Sequence, residues 1–287
     1  MIKNKYLSNN ELNFYKRYGY LVKHSLISQK NIKKINNKIK ILKSNIKYKK
    51  HFEFLNINNR KYCVRLRDPH SVDKVFFDVA KNNKILAILK DLLGGSVRFH
   101  HSKLNFKPPS SNAGIIAWHQ DWAFYPHTND DLIAIGIYLE DCLEKNGPLK
   151  VIPGSHKLKI FNHHKNNNFV GKVDIIKEKI NTKKSVNLVA KAGSVTFHHV
   201  RTLHSSALNL TNNFRPLLLF GYCAVDAWPI TFDAGSSIDP NINLKAYDKL
   251  ILKGKPTLIP RLKNVPVRMP LPRSSDSIYQ LQNIKKK

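Results

Sequence analysis

Acidic residues are scarce in this 287-residue chain: 19 Asp and Glu stand against 49 Lys and Arg, for a formal net charge of +30. Cysteine is scarcer still. Cys63, Cys142 and Cys223 are odd in number, far apart and free of any Cys-X-X-Cys pair. That pattern argues against a disulfide framework or a cysteine zinc site and points to a reducing, cytoplasmic setting. No apolar run reaches the roughly 18 residues of a membrane-spanning helix. The basic start, Met1 to Lys5, is followed by no continuous apolar segment, so no secretory signal is expected. No internal repeat is present.

The shortage of acid raises the question of a polyanionic partner, nucleic acid or an anionic membrane surface. The positive residues run from Lys3 to Lys287 without gathering into one patch, and Lys, Asn and Ile are heavily used together, as an AT-rich genome would encode. The reading adopted is compositional drift with a general attraction for anionic substrates. A small-molecule substrate is expected, and no specific nucleic-acid partner.

What is present is a core: 42% of residues are hydrophobic, enough for one large domain. Three segments divide it. Residues 1–95 read as helical. Ser8-Asn9-Asn10-Glu11 is a capping box before a short helix that Gly19 ends, and Tyr20 to Val22 reads as a short strand. Ser28 caps a second helix whose Ile32, Ile35, Ile39 and Leu42 share one face, with lysines opposite. A third helical stretch, Val72 to Leu93, breaks near Asn82-Asn83 and stops at Gly94-Gly95.

Residues 96–230 change texture to short β-type runs: Val97 to Phe106, Leu132 to Leu139, Leu149 to Ile152, Val186 to Val189, Val195 to His198 and Leu217 to Val225. Turn signals separate them, which predicts a mainly β antiparallel sandwich or barrel such as a jelly roll. About 161–184 is polar and reads as an insertion or lid, with His163 and His164 facing solvent. Residues 231–287, studded with Pro256, Pro260, Pro266, Pro270 and Pro272, read as an extended surface tail.

Within the β region stands Trp118-His119-Gln120-Asp121-Trp122. On an extended segment residues i and i+2 point the same way, so His119 and Asp121 can supply two neighbouring metal ligands. His204 follows a strand-like run, and Arg215 lies eleven positions later at the edge of an apolar strand. Two imidazoles and one carboxylate on one face of Fe(II) leave positions open for a co-substrate and O₂, and the arginine can clamp the far carboxylate of an oxo-acid. Zinc is the rival metal for the same ligand set.

In order and spacing, these residues resemble the phytanoyl-CoA dioxygenase family over most of the chain. The resemblance runs from the Leu7 to Tyr20 opening through Phe106-Lys107-Pro108-Pro109, Trp118-His119-Gln120-Asp121, Asn146-Gly147-Pro148-Leu149, Pro153-Gly154-Ser155-His156 and His204-Ser205-Ser206-Ala207-Leu208-Asn209 to Arg215. It implies a double-stranded β-helix core with N-terminal helices packed against it. It also implies iron ligation by His119, Asp121 and His204, and 2-oxoglutarate held by Arg215, Ser206 and Lys107. An intact Asp121, where related iron halogenases carry a small residue, points to hydroxylation. One departure is Ile137, at a position where some members place a tryptophan beside the co-substrate.

The expected enzyme is an Fe(II)- and 2-oxoglutarate-dependent dioxygenase using O₂ to hydroxylate a small-molecule or lipid-like substrate, an acyl-CoA among the candidates, with release of succinate and CO₂. Trp122, Phe124, Tyr125, His127, His198 and Arg201 are candidates for the substrate pocket, His199 lies beside them, and His156 reads as a structural turn residue. Two rivals stand: a catalytically silent metal- or 2-oxoglutarate-binding protein of the same fold, and a nucleic-acid demethylase.

Overall fold

Ser8 and Gly19 bracket the first helix as the capping pattern predicts. The Ser8 hydroxyl accepts from the Glu11 amide at 3.3 Å, the Glu11 carboxylate accepts from the Ser8 amide at 2.9 Å, and Gly19 closes the helix at φ 78°. The computed structural model describes residues 6–57, 59–109, 114–231 and 239–282; the basic Met1 to Lys5 stretch lies outside them. Helix α1 is Asn9–Tyr18, strand β1 Tyr20–Lys23 and helix α2 Gln29–Ser44. Helix α2 buries Ile32, Ile35, Ile39 and Leu42 and leaves Lys30, Lys33, Lys34 and Lys40 exposed.

A hairpin that the sequence did not announce follows, β2 (Phe52–Ile57) and β3 (Arg60–Arg67). The third helical stretch is three short helices, α3 (Pro69–Val72), α4 (Lys74–Ala80) and α5 (Asn83–Leu92). The break is a new cap: the Asn82 side chain accepts from the Lys84 amide at 3.0 Å.

The β region comprises β4 (Val97–Lys107), β5 (Ile116–His119), β6 (Leu132–Tyr138), β7 (Leu149–Val151), β8 (His164–Lys165), β9 (Asn168–Phe169), β10 (Val186–Leu188), β11 (Val195–His199), β12 (His204–Ser206) and β13 (Arg215–Cys223). After it come α6 (Pro240–Asp248), β14 (Ile251–Lys253) and α7 (Ile278–Gln282). The major sheet runs β1-β11-β6-β13-β4-β3-β2, with β14 also on β4, and the minor sheet runs β10-β7-β12-β5. Among the described residues every pairing between these strands is antiparallel. This is the expected jelly-roll arrangement of two sheets with helices outside.

Alternation along the strands divides core from cavity. On β4 and β6, Leu104, Phe106, Ile133, Ile135 and Ile137 turn outward. There they join Ile35, Ile39, Phe76, Ile85 and Leu89 of the helices in one apolar core. Ile137 is therefore fully buried against the helices and is no part of the co-substrate wall. The inward position beside it is Gly136, where an added Cβ would lie 2.9 Å from the Thr196 hydroxyl and 3.3 Å from Leu217. That leaves no room for a large side chain between the strands. The opposite, inward row of β4 is His101, Lys103, Asn105 and Lys107, and these line the cavity between the sheets.

The segment after Trp228 departs from the expected surface tail. Helix α6 packs on the sheet, with Tyr247 under the fully buried Arg98, whose guanidinium lies 4.1 Å from the ring centre. Residues 255–264 do cross the surface, mostly exposed. The end then turns inward, and Ile278 and Tyr279 form one wall of the cavity.

Candidate active site

Strands β5 and β12 are antiparallel neighbours, and their ladder places His204 directly opposite His119. The two imidazole centres are 4.1 Å apart. Each ring is fixed from behind. Nδ1–H of His119 donates to the Ala117 carbonyl at 2.8 Å, and Nδ1–H of His204 donates to the Thr202 carbonyl at 2.9 Å. A carbonyl can only accept, so both Nε2 atoms carry free lone pairs. Burial, followed by the neighbouring His204, holds His119 well below the ordinary imidazole value. Burial likewise pulls His204 down to about 4, although Asp121 opposes it. Both rings are neutral at physiological pH, the form a metal requires.

Asp121 begins a short 3-10 turn (Asp121–Ala123) just beyond β5 rather than lying on the strand. Gln120 between them is extended, so the i, i+2 relation still aims both side chains at one point. Asp121 Oδ1 lies 3.8 Å from His119 Nε2 and 3.9 Å from His204 Nε2. The three ligand atoms lie within 4.8 Å of one another. Burial works against ionisation of Asp121, but His204, His198 and His119 outweigh it and keep the carboxyl well below its usual range. Among the described residues this buried carboxylate has no lysine or arginine paired with it, and it calls for a cation; two nitrogens and one oxygen suit a first-row divalent metal.

The Gln120 side chain faces away from the cluster and staples the motif in place. Its amide donates to the Arg201 carbonyl at 2.9 Å, and its oxygen accepts from the Phe161 amide at 2.9 Å. Its backbone N–H donates to Nε2 of His163 at 2.9 Å, and His163 in turn donates from Nδ1 to the Phe161 carbonyl at 2.8 Å. His163 is thus buried and neutral, burial pushing it down to about 4, rather than solvent-facing as expected. The polar 161–184 segment braces the metal motif from behind. Its neighbour His164 is the half-exposed one.

At the far end of the cavity, Lys107 and Arg215 are register partners across β4 and β13. Both are buried. Lys107 donates to the Ser206 hydroxyl at 2.9 Å and the Gly114 carbonyl at 2.8 Å, and also to the Ala207 carbonyl. Arg215 donates from Nη2 to the Gly147 carbonyl at 2.7 Å, and among the described residues its buried Nε has no partner. Gly147, in the left-handed region at φ 70°, is required here, since a Cβ would lie 2.5 Å from the Lys107 side chain. Among the described residues no carboxylate pairs with either cation. Burial, then Arg215, drives Lys107 well below its ordinary value. Like charges opposed on neighbouring strands repel, so this pair is built to share an anion.

The cavity encloses about 390 Å³ and includes the cluster, Lys107, Arg215, Ser206 and several of the expected pocket residues. Phe124, Tyr125 and His198 do line it. His198 Nε2 lies 3.7 Å from Asp121 Oδ2, and its ring centre is 4.7 Å from that of His204.

Trp122, His127 and Arg201 do not line it. Trp122 is packed among Phe169, Val200 and Ala227 and donates to the Pro266 carbonyl at 3.1 Å. His127 stands behind the wall, 5.0 Å from the His100 ring. Arg201 turns outward to Asp130 at 2.9 Å and the Leu158 carbonyl at 2.7 Å. His199 and His156 sit with their ring centres 5.4 Å apart, outside the cavity. Sequence reasoning missed Arg65, Arg67, Lys103 and Arg273, all on the cavity wall. The inward alternation of β4 was the available signal for Lys103.

The chain is similar to known proteins over most of its length. The family model for phytanoyl-CoA dioxygenase (PhyH) matches residues 15–217. A probable alpha-ketoglutarate-dependent hypophosphite dioxygenase of Stutzerimonas stutzeri is 38% identical over 237 residues, spanning 80% of this chain and 79% of that protein. The peroxisomal phytanoyl-CoA dioxygenase of Homo sapiens is 26% identical over 240 residues, 78% of this chain and 71% of its own. Among solved structures, EctD from S. alaskensis with 2-oxoglutarate and 5-hydroxyectoine superposes at a TM-score of 0.66 with 19% identity, covering 96% of this chain and 91% of that one. At that identity the likeness is one of fold.

Proposed function

This chain belongs to the phytanoyl-CoA dioxygenase family and is an Fe(II)- and 2-oxoglutarate-dependent dioxygenase, and we propose that His119, Asp121 and His204 hold its iron while Lys107, Ser206 and Arg215 hold the distal carboxylate of 2-oxoglutarate. The observation that carries this assignment is one cavity holding both an anion-demanding pair of buried cations and a cation-demanding cluster of two neutral imidazoles and a carboxylate. With metal and oxo-acid bound, the site supplies O₂ activation for substrate hydroxylation, with succinate and CO₂ as co-products.

The protein's own residues do the positioning. The backbone carbonyls of Ala117 and Thr202 hold both rings with Nε2 inward. Lys107 and Arg215 fix one end of the co-substrate and so decide which end reaches the metal. Phe124, Ile278 and Tyr279 present apolar surface that keeps water from the reacting centre. His198 faces Oδ2 of Asp121 at 3.7 Å, beyond direct hydrogen-bond distance.

The part of the substrate that enters the cavity is small and polar. A volume of about 390 Å³ lies near the lower end of ligand pockets, roughly 300–1,000 Å³, and the co-substrate must share it. The relative named for hypophosphite, itself a small oxyanion, supports this reading. The three free thiols support a cytoplasmic setting. Release of succinate from 2-oxoglutarate, dependent on Fe(II) and on Asp121, tests the proposal. If Asp121→Ala released succinate at the parent rate, it would be wrong.

A further inference from the structure

Once 2-oxoglutarate is in place, positive charge remains in the cavity. Lys103 shares the inward row of β4 with Lys107, four residues and hence about 13 Å along the strand. That spacing puts it beyond the end of the co-substrate held at Lys107. The side chain turns into the cavity, and among the described residues its ammonium has no hydrogen bond and no ion pair. Its neighbour is the Tyr125 ring, with the ring centre 5.8 Å away.

Across the β3–β4 ladder, Arg67 is the register partner of Lys103, and Arg65 is the partner of Asn105. The two guanidiniums share a single carboxylate, Glu53, each at 3.6 Å. Arg65 is also held by Asn105 Oδ1 at 3.1 Å and lies 4.8 Å from the centre of the Tyr279 ring. Arg273 reaches the same wall from the C-terminal segment, with Asp276 at 3.7 Å.

Charge decides what this end can bind. Among the described residues the three cations at this end, Lys103, Arg65 and Arg67, have one ion-paired carboxylate, Glu53. Those pairings leave an excess of two positive charges at this end of the cavity. A neutral substrate would leave that excess facing itself, and a dianion would cancel it. Burial first, then Arg65, pulls the Lys103 amine down to about 8, the mark of a cation without its counter-ion.

We propose that the substrate of this oxygenase carries a doubly charged phosphorus oxyanion head group, seated on Lys103 and the Arg65 and Arg67 guanidiniums, with its carbon chain directed toward His119, Asp121 and His204. The proposal rests on the oxygenase reading above. The head group is tetrahedral, with oxygens enough to meet two guanidiniums and an ammonium at once. A phosphonate and a phosphate monoester share this chemistry.

The test is anaerobic titration of the Fe(II)- and 2-oxoglutarate-loaded protein, following the visible metal-to-ligand charge-transfer band. The probes are methylphosphonate, methyl phosphate, acetate and the neutral ester dimethyl methylphosphonate. The proposal expects one or both phosphorus dianions to perturb the band, the tighter of the two identifying the source, with acetate and the ester at least tenfold weaker. Lys103→Met should weaken the dianion at least tenfold with Fe(II) and 2-oxoglutarate affinities unchanged, and Lys103→Arg should retain it. Acetate or the ester binding as tightly as the dianions, or Lys103→Met binding them normally, would overturn the proposal alone. A parent protein that binds iron but forms no band with 2-oxoglutarate would overturn the oxygenase reading, and the proposal with it.

Discussion

Lys107 and Arg215 face each other across the β4–β13 ladder, two buried cations with no carboxylate between them among the described residues. In a folded protein such a pair is a cost, and it persists where a ligand supplies the missing charge. Arg215→Met should therefore leave the apoprotein as stable as the parent or more so, while removing the thermal stabilisation given by 2-oxoglutarate. Its affinity for the co-substrate should fall at least thirtyfold, about 2 kcal/mol, as for a buried charge partner removed. Thermal melts with and without 2-oxoglutarate, together with metal titration, separate loss of the clamp from loss of the fold.

His163 reaches the metal motif only through the Gln120 backbone, so it is a positioning residue. His163→Ala should leave the co-substrate clamp intact and weaken metal binding by about 10- to 100-fold, the usual range for groups that orient a ligand. Competition with a chelator of known affinity measures this. A merely structural role would lower the melting temperature and leave the metal affinity of the folded fraction unchanged.

Lys103 gives the reaction a pH dependence whose sign is fixed. Its amine titrates at about 8, pulled down by burial, Arg65 and Arg273 against Asp121 and Asp68. It is charged below that pH and neutral above it. For a substrate whose own charge does not change above pH 7, KM should therefore rise as pH passes upward through 8, with kcat less affected, and Lys103→Arg should move the rise to higher pH. KM measured from pH 7 to 9.5 in both proteins tests the assignment.

Asp130 is buried beneath Arg201, 2.9 Å away, and Lys263. Burial opposes its charge, but both partners hold its pKa below the ordinary carboxylate value. Its stabilising contribution is present above the unfolded pKa, near 4, and lost as pH falls through the lower folded value. Asp130→Ala should cost about 1–3 kcal/mol at neutral pH by leaving the partly buried Arg201 guanidinium without its carboxylate. Chemical denaturation at pH 7 reads that loss. Because Arg201 lies outside the cavity, KM for 2-oxoglutarate should not change.

The sequence made the metal cluster legible because it is local. His119 and Asp121 are two residues apart, and alternation on an extended segment needs no tertiary information. The capped helices and the apolar strands β4, β6, β11 and β13 were legible for the same reason. Strands β2 and β3 were not, since β3 puts Arg65 and Arg67 where an apolar row would mark a strand, and those arginines face a ligand cavity. His163 looked like a surface residue among asparagines and lysines, and only the folded segment turns it onto Gln120. Trp122, His127 and Arg201 follow or precede the ligands in sequence, but the 3-10 turn at Asp121 and the turn before His204 carry them out of the cavity. Arg273 and Tyr279 arrive from the end of the chain, a return that no local pattern encodes.

The central claim is that one cavity binds Fe(II) through His119, Asp121 and His204 and 2-oxoglutarate through Lys107 and Arg215. Anaerobic titration of the apoprotein with Fe(II), then 2-oxoglutarate, tests it most directly. The account predicts a weak visible charge-transfer band that appears only with both present, is absent in Asp121→Ala, and needs far more 2-oxoglutarate in Arg215→Met. Folded, iron-bound parent protein that shows no band at saturating 2-oxoglutarate would contradict it.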